Sequence, residues 1–396
     1  LTQIFCAKNI NRFIMGDIKM RKVKVLVLIT AMDRGGAETM VMNYLRNIDR
    51  EKVQMDFLVI RKYKSDYEDE IKQMGSNVYH LNPIFLKNIG RFKREFRKFL
   101  TEHREYMIIH SHLEERSYFP MKIAKKMGVP VRIVHAHSIP NDKGPKQWAR
   151  LYMRNRLKGL YTHGFACSEK TAKWLFGNNT KNITIMNNAI DTEKFKANEK
   201  TGKKLRQQLK IDEKTLVVGH IGRFVKQKNQ QFLIDIFRNV NNQRPNSKLL
   251  LIGGGKPKVE QKYKNEVMKK IKEQGLENKV KFLGVRDNIE ELLQVMDVLV
   301  MPSTSEGFPV TLVEAQAAGV RCIASDRIDY KVNITDEIQY EALESDAVDW
   351  ANRIISFTNT ELDAEEMNRK VKIAGFDVKE KAKDLEEFYI GVSKSI

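Results

Sequence analysis

Cysteines and long apolar runs are both scarce in this sequence. The 396 residues include three cysteines, Cys6, Cys167 and Cys322, which lie far apart along the chain. They supply neither a disulfide framework nor a cysteine-rich zinc site, so a reducing compartment, the cytoplasm, is the expected location. No apolar run approaches the ~20 residues that a helix needs to cross a bilayer. This argues against an integral membrane protein but leaves binding at the inner face of the cell membrane open.

Acidic residues are too few to balance the basic ones, and the imbalance is uneven. The chain carries 70 Lys and Arg against 50 Asp and Glu, a formal charge of +20. Residues 1–192 hold 35 basic and 18 acidic residues, a net of +17, and the remainder holds 35 and 32, a net of +3. Such asymmetry predicts that the first half faces an anionic membrane or a phosphorylated ligand. Nucleic acid is not an expected partner, because RNP-like aromatic motifs and zinc fingers are missing.

The order of apolar and amphipathic segments predicts two α/β domains. Residues 1–19 show no clear period and precede Met20, so we expect a flexible leader there. Short apolar runs separated by amphipathic stretches are typical of a parallel sheet that helices cover on both faces. Strands are predicted at 23–30, 55–60, 78–81, 107–110, 131–135 and 164–167, and, after a polar stretch at 191–214, at 216–221, 248–253, 280–283, 298–301 and 322–325, with helices alone beyond. We therefore predict Rossmann-like domains at residues 20–192 and 193–375, facing each other across a ligand-binding cleft.

Histidines cluster at the ends of two predicted strands in the first half. They form two His-x-His pairs, His110 with His112 and His135 with His137. Residues i and i+2 of a strand share one face, so the spacing permits a zinc site. No nearby cysteine or clear carboxylate triad completes a ligand set, and no metal is predicted. His137 is the candidate for a contact with a substrate hydroxyl, because the Ser-Ile-Pro that follows marks a loop.

A basic amphipathic helix is predicted at residues 89–101. Its apolar stripe consists of Ile89, Phe92, Phe96, Phe99 and Leu100, and its cations fall largely elsewhere. The helix either packs on the sheet with solvated cations or also turns those cations toward anionic lipid. Both interpretations remain open.

Two motifs in the second half suggest an activated-sugar site. In GHIGRFVKQKN, Arg223 and Lys228 can converge on one anionic group such as a diphosphate. Further on, Glu306 precedes Gly-Phe-Pro, and Glu314 lies about one turn inside the helix that follows. Carboxylates accept paired hydrogen bonds from vicinal hydroxyls, so one glutamate can hold a hexose and the other a ribose. The triple glycine after the next strand lacks the Gly-Lys-Ser/Thr ending of an NTPase P-loop.

The string EGFPVTLVEAQAAGV, preceded by GRFVKQKN and GGAE, resembles the retaining glycosyltransferases of family 4, which have the GT-B fold. The resemblance extends from about residue 23 to the end of the chain, and bacterial capsular and exopolysaccharide enzymes are the most similar type. It implies that a C-terminal helix, residues 376–396, crosses back onto the first domain. It further implies metal-independent transfer of a hexose-type sugar, with retention, from a nucleotide-diphosphate sugar to a growing, lipid-linked polysaccharide or glycan. UDP is expected from its frequency in the family.

The resemblance also implies roles for individual residues. Among the catalytic residues, His137 would lie near the reacting sugar, Arg223 and Lys228 would neutralise the leaving diphosphate, and Glu306 would hold the transferred sugar. The implied substrate-binding residues are Gly35, Gly36, Gly222, Arg223, Lys228, Gly284, Val285, Glu306, Gly307, Phe308, Val310 and Glu314, with Glu314 at the ribose and Gly284 and Val285 at the nucleobase. Two alternatives stay open: a non-hydrolysing UDP-sugar epimerase of the same fold, and a non-enzymatic protein that binds sugar or nucleic acid.

Overall fold

The computed structural model describes residues 22–85, 88–140, 144–178, 183–254, 258–359 and 362–396. The predicted flexible leader, residues 1–19, lies outside these ranges. The strands are β1 Val23–Ile29, β2 Val53–Val59, β3 Val78–His80, β4 Ile108–Ser111, β5 Val131–Ala136, β6 His163–Ala166, β7 Ile183–Ile185, β8 Leu216–Ile221, β9 Ser247–Ile252, β10 Val280–Gly284, β11 Val298–Met301, β12 Arg321–Ser325 and β13 Ile338–Glu341. The α-helices are α1 Gly36–Asn47, α2 Glu68–Gln73, α3 Ile89–Glu102, α4 Tyr118–Lys126, α5 Pro145–Leu157, α6 Glu169–Phe176, α7 Glu199–Gln208, α8 Gln230–Gln243, α9 Lys258–Glu273, α10 Ile289–Leu293, α11 Val310–Ala317, α12 Ala347–Phe357, α13 Ala364–Val371 and α14 Val378–Lys394.

The strands form two parallel sheets, as the sequence predicts. In the described residues, seven strands form the first sheet in the order β3-β2-β1-β4-β5-β6-β7, and six form the second in the order β10-β9-β8-β11-β12-β13. The strand pairs within both sheets are parallel. We call the halves built on these sheets the first and the second lobe.

Both faces of the first sheet are covered by apolar side chains. Val25 and Val27 of β1 belong to one hydrophobic cluster, whereas Leu26 and Leu28 belong to another. Successive side chains of a strand point to opposite faces, so an uninterrupted apolar run fits a strand with helices on either side. The second sheet is built in the same way, with two further clusters around β8, β9 and β11.

The C-terminal helix α14 returns to the first lobe, where it contacts α1, β1 and β2. Asp377 caps its first turn by accepting a hydrogen bond from the backbone N–H of Lys379 at 2.9 Å, and it also accepts one from the hydroxyl of Thr192. Further along, the buried Tyr389 hydroxyl lies 2.7 Å from Nδ1 of His110. The predicted return of the chain is confirmed.

The sequence prediction is wrong at one edge of each sheet and in the polar stretch. Strands β7 and β13 were not predicted, and residues 191–214 contain helix α7. The sequence of β13, IQYE, is short and half polar, and the strand pairs on one side with β12. An edge strand needs little buried area, so it leaves a weak apolar signal in the sequence.

Replacing Asp377 with alanine tests whether this cap holds the returning helix. The substitution removes the N-cap acceptor and leaves the buried Thr192 hydroxyl without this partner, so the free energy of unfolding should fall by about 1–3 kcal/mol in urea titrations. The control is Asp384→Ala on the same helix, which removes a surface ion pair with Lys381 and should change stability by less than about 0.5 kcal/mol. An Asp377→Ala protein as stable as the wild type would contradict this role.

Candidate active site

The order of strands reverses once in each sheet, and the predicted site residues follow strands near these points. The reversal lies between β1 and β4 in the first lobe and between β8 and β11 in the second. Loops that leave the carboxyl ends of strands on either side of a reversal diverge and leave a crevice between them. This crevice is the place where a ligand can reach backbone amides and loop side chains together.

In the second lobe, Lys228 and Glu306 meet in an ion pair. Lys228 follows β8 and Glu306 follows β11, and their Nζ and Oε1 atoms are 2.8 Å apart. Their side chains are 17% and 10% exposed, so the pair is nearly enclosed. The two loops are also joined by Gln227, whose side-chain amide donates to the carbonyl of Ser305 at 2.6 Å. The structure therefore brings this cation and this carboxylate together.

Arg223 lies in the same loop as Lys228 but has a different partner. Its side chain is 61% exposed, and its guanidinium lies 3.3 Å from the carboxylate of Glu260, at the start of α9. Arg223 also acts across the cleft: burial raises the pKa of the Glu38 carboxyl in α1, and the charge of Arg223 opposes that rise. Its side chain is therefore available at the opening, while that of Lys228 lies inside.

Glycines allow the loops of the second lobe to pack closely. Gly253 has φ +125°, and a Cβ there would collide with the carbonyl of Gly222. A Cβ at Gly222 would in turn lie 3.2 Å from Cε of Lys228, so this glycine leaves a path for the lysine side chain. Gly284 ends β10 with φ +70°, and Val285 after it is 55% exposed. The residues predicted at the nucleobase thus form an open ledge beside the glycine loops.

Glu314 lies in α11, the helix that follows the loop of Glu306. Burial raises the pKa of Glu314 to about 7, the neighbouring Glu290 adds to the rise, and Lys194 opposes it. Phe308, just before this helix, stacks on Phe376 with ring centroids 5.6 Å apart. Val310 is buried in the core of the lobe, so only its backbone can serve the predicted contact with substrate.

In the first lobe, Gly35 and Gly36 lie where the loop after β1 leads into α1. Gly36 begins the helix and is exposed, with open space around its Cα. Gly35 is the N-cap residue, and the carboxylate of Glu38 packs so closely on it that a Cβ would collide. The carboxylate of Glu38 therefore lies at this glycine turn, a placement that the sequence analysis missed.

The four predicted histidines form one stack behind this wall of the cleft. Neighbouring ring centroids are 4.1 Å apart for His135 and His137 and 4.3 Å apart for His110 and His112. Burial lowers the pKa of His110 to about 3 and that of His137 to about 4, so the stack is neutral at pH 7. Nδ1 of His112 lies 2.8 Å from Nε2 of His137, a hydrogen bond that fixes the ring nearest the cleft.

The stacked geometry does not suit a shared metal ion. Ring nitrogens of His110, His112 and His135 lie within 4.8 Å of one another. Their planes are inclined to each other by only 12° to 35°, and imidazole lone pairs lie in the ring plane. The lone pairs therefore run side by side instead of converging at the ~2.0 Å that a zinc–nitrogen bond requires.

Sequence reasoning also missed Glu114, which follows β4. This residue has φ +48°, a left-handed conformation that is strained for glutamate, and its Oε1 accepts a hydrogen bond from the backbone N–H of His137 at 3.2 Å. Residue type alone does not distinguish Glu114 from its neighbour Glu115. The usable signal is its position in the loop after β4, close in sequence to the pair of His110 and His112.

The two lobes touch across the cleft at the predicted residues. Gly307 packs against the first lobe, where a Cβ would lie 2.8 Å from the carbonyl oxygen of His137. Arg34, next to the glycine turn, pairs with Asp287 and donates to the carbonyl of Arg286 at 3.4 Å. The sugar-binding loop predicted in the second lobe thus faces His137 directly.

Comparisons with known proteins agree with this architecture. A family model described as "Glycosyltransferase Family 4" matches residues 34–194, and one described as "Glycosyl transferases group 1" matches residues 202–375. EpsF of Bacillus subtilis strain 168, a protein named as a glycosyltransferase, is 34% identical over 316 residues, which cover 78% of this chain and 81% of EpsF. This chain belongs to glycosyltransferase family 4.

Two further proteins resemble this glycosyltransferase, one in sequence and one in fold. The UDP-Gal:alpha-D-GlcNAc-diphosphoundecaprenol alpha-1,3-galactosyltransferase of Escherichia coli is 25% identical over 303 residues, covering 74% of this chain and 77% of that enzyme. The crystal structure of Anabaena Alr3699/HepE in complex with UDP matches with a TM-score of 0.76 at 22% identity, covering 93% of this chain and 100% of that one. The predicted GT-B fold of this glycosyltransferase is confirmed.

The raised pKa of Glu314 makes the stability of this glycosyltransferase depend on pH. Because the folded-state pKa of about 7 exceeds the ordinary 4.5, unfolding releases a proton between these values, and the carboxyl destabilises the fold increasingly as pH rises through this window. Glu314→Gln should therefore gain stability relative to the wild type by on the order of 2 kcal/mol more at pH 8 than at pH 5, measured by urea unfolding. The exposed Glu277→Gln serves as control, and an equal effect of Glu314→Gln at both pH values would contradict the assignment.

Proposed function

We propose that this glycosyltransferase moves a hexose-type sugar from a UDP-sugar to a growing, lipid-linked polysaccharide or glycan, with retention of configuration. The observation that carries the proposal is the enclosed Lys228–Glu306 pair, which lies in a loop system facing His137 across the cleft. A cation and a sugar-binding carboxylate side by side suit a substrate that joins a diphosphate to a hexose.

The relatives support the choice of donor and acceptor. The Anabaena protein binds UDP, and the Escherichia coli enzyme is named for UDP-galactose and for a diphosphoundecaprenol-linked sugar. In this chain, Glu314 would accept hydrogen bonds from the ribose hydroxyls, and the ledge at Gly284 and Val285 would take the base. The first lobe would receive the acceptor.

The charge of the leaving group determines the proposed mechanism. As the bond from the anomeric carbon to the diphosphate breaks, negative charge grows on the leaving oxygen, and Lys228 and Arg223 stabilise it together with the amides that begin α11. Glu306 would hold the sugar hydroxyls. The acceptor oxygen forms its bond on the same face, and its proton passes to the departing phosphate oxygen, so configuration is retained. These cations supply the charge that a divalent ion would otherwise provide, and we propose a metal-independent reaction.

Nucleotide release and product analysis test this function. UDP-sugars screened by thermal shift, then assayed with a synthetic N-acetylglucosaminyl diphospholipid, should give UDP and an α-linked product by NMR, at a rate that EDTA leaves unchanged. An epimerised nucleotide sugar formed without acceptor would indicate an epimerase. Ligand binding without nucleotide release would indicate a non-enzymatic binding protein.

Removal of the enclosed cation should slow transfer more than it weakens acceptor binding. Lys228→Ala is expected to lower kcat by about 100-fold, because the lost charge acts mainly on the developing anion, and Arg223→Ala should lower it as well. Lys226→Ala, an exposed lysine in the same loop, is the matched control and should leave kcat unchanged. Unchanged turnover in both the Lys228 and Arg223 variants would overturn the proposed role.

We propose that the first lobe also binds the anionic surface of the cell membrane. None of the described helices is long and apolar enough to cross a bilayer. In α3 the phenylalanines are buried, as the packing interpretation expected, and its cations face outward. Helix α5, which packs on α4 next to α3, has four basic and no acidic residues. Its Trp148 and Tyr152 are 73% and 54% exposed. Exposed aromatic rings among cations are suited to the interface of an anionic bilayer.

Vesicle binding tests this surface. The double variant Trp148→Ser, Tyr152→Ser should bind vesicles containing phosphatidylglycerol about tenfold more weakly in co-sedimentation, because it loses the apolar contribution. Tyr330→Ser, which removes a 61% exposed tyrosine from the second lobe, is the control. Equal binding of the wild type to neutral and anionic vesicles would contradict the electrostatic part of the proposal.

A further inference from the structure

The backbone of His137, the histidine nearest the cleft, is held on both sides of its Cα. Oε1 of Glu114 accepts a hydrogen bond from the backbone N–H of His137 at 3.2 Å, and Sγ of Cys167 donates to its carbonyl at 3.3 Å. The same carbonyl oxygen lies against Gly307 of the second lobe, where the lobes meet. The point from which the imidazole ring extends is therefore fixed at the cleft.

The ring of His137 has one hydrogen-bond partner in the described part of the chain. Its Nε2 lies 2.8 Å from Nδ1 of His112, whereas its own Nδ1 is buried and has no partner among the described residues. The ring of a histidine rotates in a broad, roughly two-fold well. The stacked ring of His135, with its centroid 4.1 Å away, allows both orientations, so the hydrogen bond with His112 is what distinguishes them.

The same hydrogen bond determines which nitrogen of His137 carries the proton. Burial lowers the pKa of His112 well below its ordinary value and that of His137 to about 4, so at pH 7 each neutral ring has one N–H. If His112 donated, the proton of His137 would lie on Nδ1, where the described residues offer no acceptor. If His137 donates from Nε2, its Nδ1 keeps a bare lone pair.

The second arrangement leaves the better-satisfied set of polar atoms. Buried N–H groups without an acceptor are rarer in proteins than buried acceptors without a donor. When His137 donates, His112 carries its own proton on Nε2, and this atom does not belong to the buried polar atoms of the described residues that lack a partner. The hydrogen bond therefore runs from His137 to His112.

We propose that His112 is a positioning residue, which holds His137 as the Nε2–H tautomer and leaves Nδ1 as an acceptor for a hydroxyl group of the transferred sugar. The proposal rests on the proposed function and deepens it by naming the residue that sets the chemistry of His137. A bare Nδ1 accepts a hydrogen bond and cannot donate one, so His137 binds the sugar and does not protonate the leaving group. Because the ring is oriented before the sugar binds, no ordering of it is needed during the reaction.

Long-range proton–nitrogen NMR of the full chain with isotope-labelled histidine reads the tautomer directly. The chain has eight histidines, and the signals of His137 are those that disappear in His137→Gln. At pH 7 and without substrate, the wild type should show one species of His137, with Nε2 protonated and Nδ1 bare. A protonated Nδ1, or a mixture of both tautomers, would overturn the proposal.

Two substitutions at His112 separate positioning from packing. His112→Phe keeps an aromatic ring for the stack with His110, whose centroid is 4.3 Å away, but removes the acceptor. It should give both tautomers of His137 and lower kcat for UDP release about tenfold, while KM for the UDP-sugar changes less than about threefold. His112→Asn places a side-chain carbonyl close to the position of Nδ1 and should restore the single tautomer and most of kcat. A Phe variant that keeps the wild-type tautomer and kcat would contradict the role, as would an Asn variant no faster than the Phe variant.

His163→Phe is the matched control. It makes the same change at the first residue of β6, at the amino end of the same sheet, where the ring packs on Phe388 with centroids 5.2 Å apart. The tautomer of His137 and kcat should both stay as in the wild type. Melting temperatures and the Kd of UDP show that each variant is folded. A loss of kcat in His163→Phe as large as in His112→Phe would indicate a general loosening of the lobe and overturn the proposal.

The NMR measurement needs no substrate, so this proposal and the proposed function can fail separately. A His137 tautomer that depends on His112 in a protein that releases UDP from none of the UDP-sugars would count against the proposed function and leave the positioning of His137 supported. Sugar transfer by a wild type in which Nδ1 of His137 is protonated would count against the role of His112 alone.

Discussion

A parallel sheet sends all its strands in one direction, and this constraint determines where the chemistry of the protein can lie. All the loops that leave the carboxyl ends of the strands emerge at one edge, and they diverge only where the strand order reverses. Each lobe has one such reversal, and the two edges face each other, with Gly307 against His137. Gly307 and His137 are distant in sequence, and they are neighbours because both follow strands at these edges.

The two walls of the cleft differ in their electrostatics. The second lobe places Arg223 at the opening and Lys228 inside, with Glu306 paired to the lysine. The first lobe presents histidines that burial keeps neutral and carboxyl groups whose pKa burial raises. The cations of the second lobe suit an anionic group such as the diphosphate of the proposed donor.

Much of the positive charge of the first half lies outside the cleft. Many of its basic residues lie on α3, α4 and α5, which pack side by side on the outer face of the first sheet. Cations there lie outside the neutral and acidic wall of the cleft. The helix α14 packs against the first lobe. Its buried Tyr389 hydroxyl bonds to His110 and so links the histidine stack to the C-terminal helix.

The sequence by itself determined the alternation of buried strands and helices, and with it the two-lobed fold, because uninterrupted apolar runs fit only strands covered on both faces. It also indicated Lys228 and Glu306, since both follow strands in recognisable strings. Only the tertiary structure decided that Arg223 pairs with Glu260, that the four histidines stack, and that Glu114 faces His137. These contacts join segments that are distant in the chain. The pKa values of the histidines and of Glu114 depend on burial, which no local pattern of residues records. The short edge strand β13 was missed for a related reason, as its stability comes from pairing with β12 and not from its own residues.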